Sequence, residues 1–140
     1  WKHKPTGGTT DYAVEMYFDA VESGKYECFV NKNTRLPMMF MDDAIRATLE
    51  LMDAPLESLN YHSNYNLSSM SFSAEELEKE ISAHLDFNCF YKPDYRQDIA
   101  DTWPISINDD DARKDWGWEP KFDISKMTEE MITNLRRLNE

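Results

Sequence analysis

Apolar residues recur at three- and four-residue spacing in four stretches of the chain, and this period predicts four amphipathic helices. They cover about residues 11–22, 43–53, 74–85 and 125–138. The side chains expected to face the core are Ala13, Met16, Tyr17, Ala20 and Val21 in the first helix, Ile45, Leu49 and Met52 in the second, Leu77, Ile81 and either His84 or Leu85 in the third, and Met127, Met131, Leu135 and Leu138 in the last.

Shorter apolar runs between these helices predict strands. They are residues 25–30, 36–41 and 87–91, with a further short candidate at 65–67. Because helices and short strands alternate along the chain, the pattern predicts a single α/β or α+β domain.

Two helix boundaries carry end signals in the sequence. Ser73 and Glu76 have the spacing of a capping box, and Phe72 and Leu77 are placed to form the hydrophobic staple around it. Pro55 predicts that the second helix ends near residue 53, because proline cannot continue a helix.

A fifth, shorter helix is predicted within residues 109–120. Asp109 or Asp110 is expected to accept hydrogen bonds from its first amides, and Gly117 to end it in the left-handed conformation. Trp116 and Trp118 flank that glycine. Burial of an indole removes about 150–250 Å² from water, so we expect both rings to pack against the rest of the domain.

Length and charge exclude several classes of function. The 140 residues are enough for one core, and the net charge of −12 argues against binding to nucleic acid or to an anionic membrane surface. Cys28 and Cys89 lie in apolar, strand-like runs, which favours two reduced thiols over a disulfide. Reduced thiols in turn indicate a reducing compartment. The apolar runs are too short to span a bilayer, and the start has neither an initiator Met nor the apolar segment of a signal peptide. The missing Met favours a piece of a longer protein.

Candidate chemistry begins with the Gly-Gly-Thr-Thr turn at residues 7–10, which opens the first helix. Amides at a helix start, with two hydroxyls beside them, suit a small anion such as a carboxylate, although a plain turn with a Thr cap explains the same residues. Trp103, before Pro104, could form an apolar wall beside a ligand or could be an ordinary core indole. Arg35 could bind an anion, or it could be solvated or pair with a carboxylate.

Other kinds of site lack their motifs. The run at residues 109–111 lacks the alternate spacing of a calcium loop, and the three histidines have no zinc-ligand spacing. The chain contains no Gly-x-Ser-x-Gly, no Gly-x-Gly-x-x-Gly and no tyrosine followed four residues later by lysine. We therefore expect that the chain alone neither binds a dinucleotide nor performs short-chain dehydrogenase chemistry.

Several of these stretches, in this order, resemble the C-terminal part of the metal-independent L-threonine 3-dehydrogenases. That family is of the extended short-chain dehydrogenase type, with a Rossmann-like α/β fold, and is related to UDP-galactose epimerase. The stretches that carry the resemblance are residues 7–14, 34–39, 42–48, 65–67, 70–72, 96–104 and 115–118.

The resemblance implies that residues 1–140 are the substrate-binding part of a longer NAD-dependent enzyme that oxidises L-threonine to 2-amino-3-ketobutyrate. It implies an NAD-binding half with the catalytic Tyr/Lys pair upstream, so no catalytic residue in this chain. Gly8, Thr9, Thr10 and Trp103 are the implied substrate-binding residues. The resemblance also implies a homo-oligomer, with a dimer expected, in the cytoplasm or, in a eukaryote, the mitochondrial matrix.

Two other functions stay open at this point. One is a nucleotide-sugar epimerase or reductase of the same superfamily. Leu36 argues against it, because the epimerases usually have an acidic residue after the arginine equivalent to Arg35. The other is a non-catalytic acidic binding module. If part of the sheet is missing, strand edges and an apolar face would be exposed, and we expect the isolated chain to self-associate.

Overall fold

A computed structural model describes residues 3–5 and 7–138. The elements are α1 (Tyr12–Glu22), β1 (Lys25–Cys28), β2 (Arg35–Met38), α2 (Met41–Asp53), a 3-10 turn (Leu56–Ser58), β3 (Met70–Ser73), α3 (Ala74–Ser82), β4 (Asn88–Tyr91), α4 (Tyr95–Ala100), α5 (Asp110–Trp116) and α6 (Ile124–Leu138). Helices alternate with short strands, which confirms the α/β class.

The strands form two separate pairs. β1 and β4 are parallel, with Tyr26 opposite Cys89, whereas β2 and β3 are antiparallel, with Leu36 opposite Phe72. Cys28 is buried, and both cysteines are free thiols. The strand expected at 65–67 is wrong: the strand begins at Met70. The Tyr65 hydroxyl instead donates to Asp115 of α5, which ties this segment to a helix.

The main core lies between α1, α3 and α6 and against the β1–β4 pair. The stripe of α1 packs here as predicted, and the Tyr17 hydroxyl lies 2.7 Å from the Thr128 hydroxyl of α6. The capping box is confirmed, because Ser73 Oγ accepts from the Glu76 amide and Glu76 accepts from the Ser73 amide. One expected core residue of α6 is wrong: Leu138 is exposed, because the helix extends beyond the elements that cover it.

The orientation predicted for α2 is wrong. Ile45, Leu49 and Met52 are 53%, 55% and 75% exposed, whereas Asp43 and Ala47 are buried. Asp43 explains the rotation, since its carboxylate accepts the amides of Lys121 and Phe122 at 2.9–3.1 Å and a hydrogen bond from Arg46. This polar anchor turns the apolar stripe of the helix outward.

A second, smaller core forms around α5. Trp118 is buried against Ala47 and Ala112, and its Nε1 donates to the Ser68 carbonyl at 3.0 Å. Gly117 ends α5 at φ 75° and ψ 30°, as predicted. Trp116 is only half-buried.

The predicted side-chain cap of α5 is wrong. The Asp109 carboxylate is drawn away from the helix amides by Arg113, whose Nε lies 2.8 Å from it. Asp110 does not cap the helix either, because it is the first residue of α5. The sequence also missed α4, which Asp94 caps by accepting from the Arg96 amide.

Candidate substrate-binding site

The Gly-Gly-Thr-Thr turn wraps around the carboxylate of Asp11. Asp11 Oδ2 accepts the Gly7 amide at 2.9 Å and the Gly8 amide at 2.5 Å, while the Asp11 amide donates to the Gly8 carbonyl at 3.1 Å. Gly7 has φ 109°, a conformation that favours glycine. The two glycine amides precede α1 and bind a carboxylate, but the carboxylate is one of the chain's own.

A cavity of about 260 Å³ opens beside this turn. Thr10 and Asp11 form its polar end, and Tyr17 lies further along α1. The apolar wall consists of side chains from β2, the β2–α2 connection, α2, β3 and α6, namely Met38, Met39, Phe40, Met41, Phe72, Met127 and Met131, together with Ala13 and Val14 of α1. No lysine or arginine is among the lining residues described, so a carboxylate placed here would depend on hydroxyl and amide donors.

Trp103 follows α4 and is not part of the wall of that cavity. Its amide donates to the Ala100 carbonyl at 3.1 Å, and the preceding Thr102 hydroxyl donates to the Ile99 carbonyl at 2.7 Å. The side chain is 43% exposed, so the alternative of an ordinary core indole is wrong. The structure thus brings Gly8, Thr9 and Thr10 together, and leaves Trp103 as a separate exposed ring.

Contacts between aromatic rings and an arginine connect α4, which precedes Trp103, to the start of α1. The Tyr12 ring meets Phe29 edge-on at 6.0 Å between centroids, and the Arg96 guanidinium lies over Phe29 at 3.2 Å from its centroid. Gln97 adds a second attachment, because its Oε1 accepts the Asn31 amide at 2.6 Å. α4 is therefore held at a defined place relative to the turn that carries Thr10.

The Tyr12 hydroxyl is buried and has no hydrogen-bond partner within the described ranges. Burial is the main cause that raises the pKa of Tyr12, so the ring stays neutral. It acts in the connection to Phe29 as an apolar ring and not as a titrating group.

Arg35 forms an ion pair within the fold. Its guanidinium donates to the Ser71 carbonyl at 2.6 Å and to Glu76 of the α3 capping box. The amide of Ser73 and, after it, Arg35 lower the pKa of Glu76, despite the opposing effect of burial. The carboxylate-pairing alternative for Arg35 is therefore the one that the structure supports.

The sequence interpretation missed Asp11. Its signal is an aspartate placed three and four residues after two glycines, which is the spacing of a carboxylate that accepts backbone amides in a local turn. Neither alternative of the sequence analysis, a small-anion site or a plain turn with a Thr cap, includes the Asp11 carboxylate as the acceptor of these amides.

The described residues do not fit a dinucleotide. Dinucleotide binding in this kind of fold needs glycines in a turn, and two of the four glycines have other uses. Gly24 allows close packing, since a Cβ there would lie 2.8 Å from the Asp86 carbonyl oxygen. Gly117 ends α5. With the other two glycines wrapped around Asp11, no glycine of the chain is left to form a phosphate-binding turn. Nor do residues 3–5 and 7–138 contain three or more His, Cys, Asp or Glu side chains grouped as for a metal ion.

Within the same ranges, none of the helices combines the length and the apolar character needed to cross a bilayer.

Comparison with known proteins gives a consistent set of relatives, although no family model matches the chain. It is 49% identical over 131 residues to the mitochondrial L-threonine 3-dehydrogenase of Bos taurus, a match that covers 92% of this chain and 35% of that protein. It is 48% identical to an uncharacterized epimerase/dehydratase of Staphylococcus haemolyticus, over 92% of this chain and 41% of that protein.

Among solved structures, a monomeric L-threonine 3-dehydrogenase from a metagenome, in its apo form, superposes with a TM-score of 0.96 and 96% identity. The match covers 100% of this chain and 46% of that one. The chain thus spans less than half the length of the proteins it matches.

Proposed function

Because this chain is related to the C-terminal part of the epimerase-like L-threonine 3-dehydrogenases, we propose that it is the substrate-binding portion of such an enzyme. The whole protein would oxidise L-threonine to 2-amino-3-ketobutyrate with NAD. The observation that carries the proposal is the 96% identity over the whole chain to a protein of that name. The turn with Thr10 at the edge of a cavity agrees with it.

Threonine is a zwitterion, and its carboxylate needs donors. Thr10 lines the cavity, and its hydroxyl is a candidate donor, as is that of the preceding Thr9. Gly8 contributes by the shape of the turn because its amide donates to Asp11. The exposed indole of Trp103 would cover the bound substrate and exclude water, which favours hydride transfer. An indole left in water is costly, and a ligand or another part of the protein that covers it removes that cost.

NAD and the Tyr/Lys pair would belong to the part of the protein that this chain does not span. The four glycines already have structural uses here, and the sequence has no Tyr-x-x-x-Lys. We therefore assign to this chain only substrate contacts and the exclusion of water, and no proton or hydride step.

Assembly and compartment are proposals of the same kind. A dimer remains the prediction from the family resemblance, but the 96% identical protein is described as monomeric, which favours a monomer for a close relative. The compartment would be the cytoplasm or, as in the name of the bovine relative, the mitochondrion.

The proposal is tested by steady-state turnover of L-threonine in the full-length parent. Thr10→Ala and Trp103→Ala should each lower kcat/KM at least about tenfold, a loss of one good ligand contact. Asp53→Ala is the matched control, since Asp53 is exposed at the far end of α2. Turnover of L-threonine at the unaltered rate by both variants, each correctly folded, would overturn the site, and a parent with no threonine turnover would overturn the function.

A nucleotide-sugar epimerase or dehydratase is the second candidate, favoured by the staphylococcal relative. The parent's melting temperature discriminates the two, because a ligand that binds the native state raises it. L-threonine with NAD should raise it, and a UDP-sugar should not. Arg35 weighs against the second candidate, because its guanidinium is already paired with Glu76.

A further inference from the structure

We infer that Asp11 is a positioning residue for L-threonine: its carboxylate holds the Gly7–Gly8 turn closed, so that Thr9 and Thr10 present their hydroxyls to the substrate. The inference rests on the proposed function. It assigns the glycine amides to Asp11 and leaves the substrate carboxylate to the two hydroxyls.

The hydrogen bonds make Asp11 the centre of the turn. One oxygen, Oδ2, accepts both glycine amides, at 2.9 Å and 2.5 Å, and the Asp11 amide returns a bond to the Gly8 carbonyl at 3.1 Å. A substrate carboxylate at the same amides would have to displace Asp11 and would meet its negative charge. The amides are therefore part of the support of the site and do not contact the ligand.

Steric contact gives a second, independent link between Asp11 and the turn. A Cβ added at Gly8 would lie 3.2 Å from both carboxylate oxygens of Asp11, closer than ordinary van der Waals contact. The φ angle of Gly8 is outside the left-handed region, so its backbone would accept alanine. The need for glycine at this position therefore comes from the Asp11 side chain, whereas Gly7 needs glycine for its φ of 109°.

The position of the turn matters because it ends at the cavity. Thr10 and Asp11 line the cavity of about 260 Å³, as do Ala13 and Tyr17 one and two turns further along α1. Tyr17 is fixed in the core by Thr128. Loosening the turn would thus move the Thr9 and Thr10 end of the site while the rest of α1 stays in place.

The test is steady-state kinetics of the full-length parent with Asp11→Ala and Asp11→Asn. Asp11→Ala should raise the KM for L-threonine about tenfold, the effect of leaving the two glycine amides without their acceptor, and leave the KM for NAD unchanged. Asp11→Asn should restore most of the wild-type KM, because an amide oxygen can accept the same two hydrogen bonds. Asp53→Ala is the charge-matched control and should leave both KM values unchanged.

A double-mutant cycle with Gly8→Ala separates this role from general loss of structure. Gly8→Ala alone should raise the KM for L-threonine, since its methyl group pushes Asp11 off the amides. Combined with Asp11→Ala it should add nothing, because the carboxylate that it meets is gone. Additive effects of the two substitutions would overturn the inference.

Two further kinetic results would also overturn the assigned role of Asp11. Both can be told apart from a result that rejects the proposed function. An unchanged threonine KM in Asp11→Ala means that the turn needs no carboxylate. Equal damage in Asp11→Ala and Asp11→Asn means that the negative charge itself matters, and that Asp11 faces the substrate ammonium. Absence of threonine turnover in the unaltered parent would instead reject the proposed function and leave the turn geometry unaffected.

Discussion

Asp43 shows how a single polar residue determines the orientation of a helix. Its carboxylate is buried, yet it accepts hydrogen bonds from Arg46 and from the amides of Lys121 and Phe122. A buried carboxylate is stable only when it is paired in this way. Periodicity alone could not find it, because hydropathy patterns count an aspartate as a surface residue, and Ile45, Leu49 and Met52 were predicted inward for that reason.

Removing this carboxylate should destabilise the chain. In Asp43→Ala the amides of Lys121 and Phe122 lose their acceptor, and we expect a loss of about 3 kcal/mol in the free energy of unfolding. Urea unfolding monitored by circular dichroism measures it. Asp42→Ala, at the exposed neighbouring position, should change the free energy by less than about 0.5 kcal/mol. Equal effects of the two substitutions would contradict the assigned role of Asp43.

The same residue predicts the acid response. Burial would raise the pKa of Asp43, but the hydrogen bonds from Arg46, Phe122 and Lys121 outweigh it and hold the pKa below its ordinary value. A carboxyl with a lowered pKa stabilises the fold fully above its unfolded pKa of about 4, and this stability is lost as the pH falls through the folded value. The free energy of unfolding should therefore fall as the pH is lowered below about 4, and less steeply in Asp43→Ala. Parallel pH curves for the two proteins would contradict this.

At the scale of elements, the sequence predicted what depends on local signals. The α3 capping box, the Gly117 helix end and the α1 stripe are confirmed because neighbouring residues determine them. The strand at 65–67 and the orientation of α2 are wrong because partners far along the chain, Asp115 and residues 121–122, decide them. The cap at Asp109 and the partner of the Gly-Gly amides were missed for another reason: a nearby side chain, Arg113 or Asp11, takes the hydrogen bond that the pattern assigns elsewhere.

The outward stripe of α2 predicts self-association of the isolated chain. Its exposed side chains follow helical spacing and continue into the next turn; they are Met41, Ile45, Leu49, Met52 and Leu56. A contiguous apolar face of this kind is usually covered by another surface. Sedimentation velocity of the 140-residue chain should therefore detect dimers or larger species.

Charge placed on that stripe should prevent the association. Leu49→Glu should shift the chain to monomer, whereas Asn33→Glu, which adds the same charge at an exposed turn residue outside α2, should not. A monodisperse monomer for the unaltered chain would contradict the prediction. So would equal effects of the two substitutions, because the association would then depend on net charge and not on the stripe.

At the scale of the whole molecule, the two parts of the proposed site, the turn at Thr10 and the indole of Trp103, lie on separate elements, held in fixed relation through Tyr12, Phe29 and Arg96. The chain spans 35% of the bovine relative and 46% of the metagenomic one. The sequence predicts these candidate residues through resemblance to a family, but not their geometry, because in our proposal the substrate and the rest of the protein bring them together.

The most direct test of this account is a double-mutant cycle on kcat/KM for L-threonine in the full-length parent, with Thr10→Ala, Trp103→Ala and the pair. If both residues contact one bound substrate, each single substitution lowers kcat/KM at least about tenfold, and the pair loses less than the product of the two, with a coupling of at least about 0.5 kcal/mol. Single variants with wild-type kcat/KM would contradict the account, as would losses that multiply without coupling.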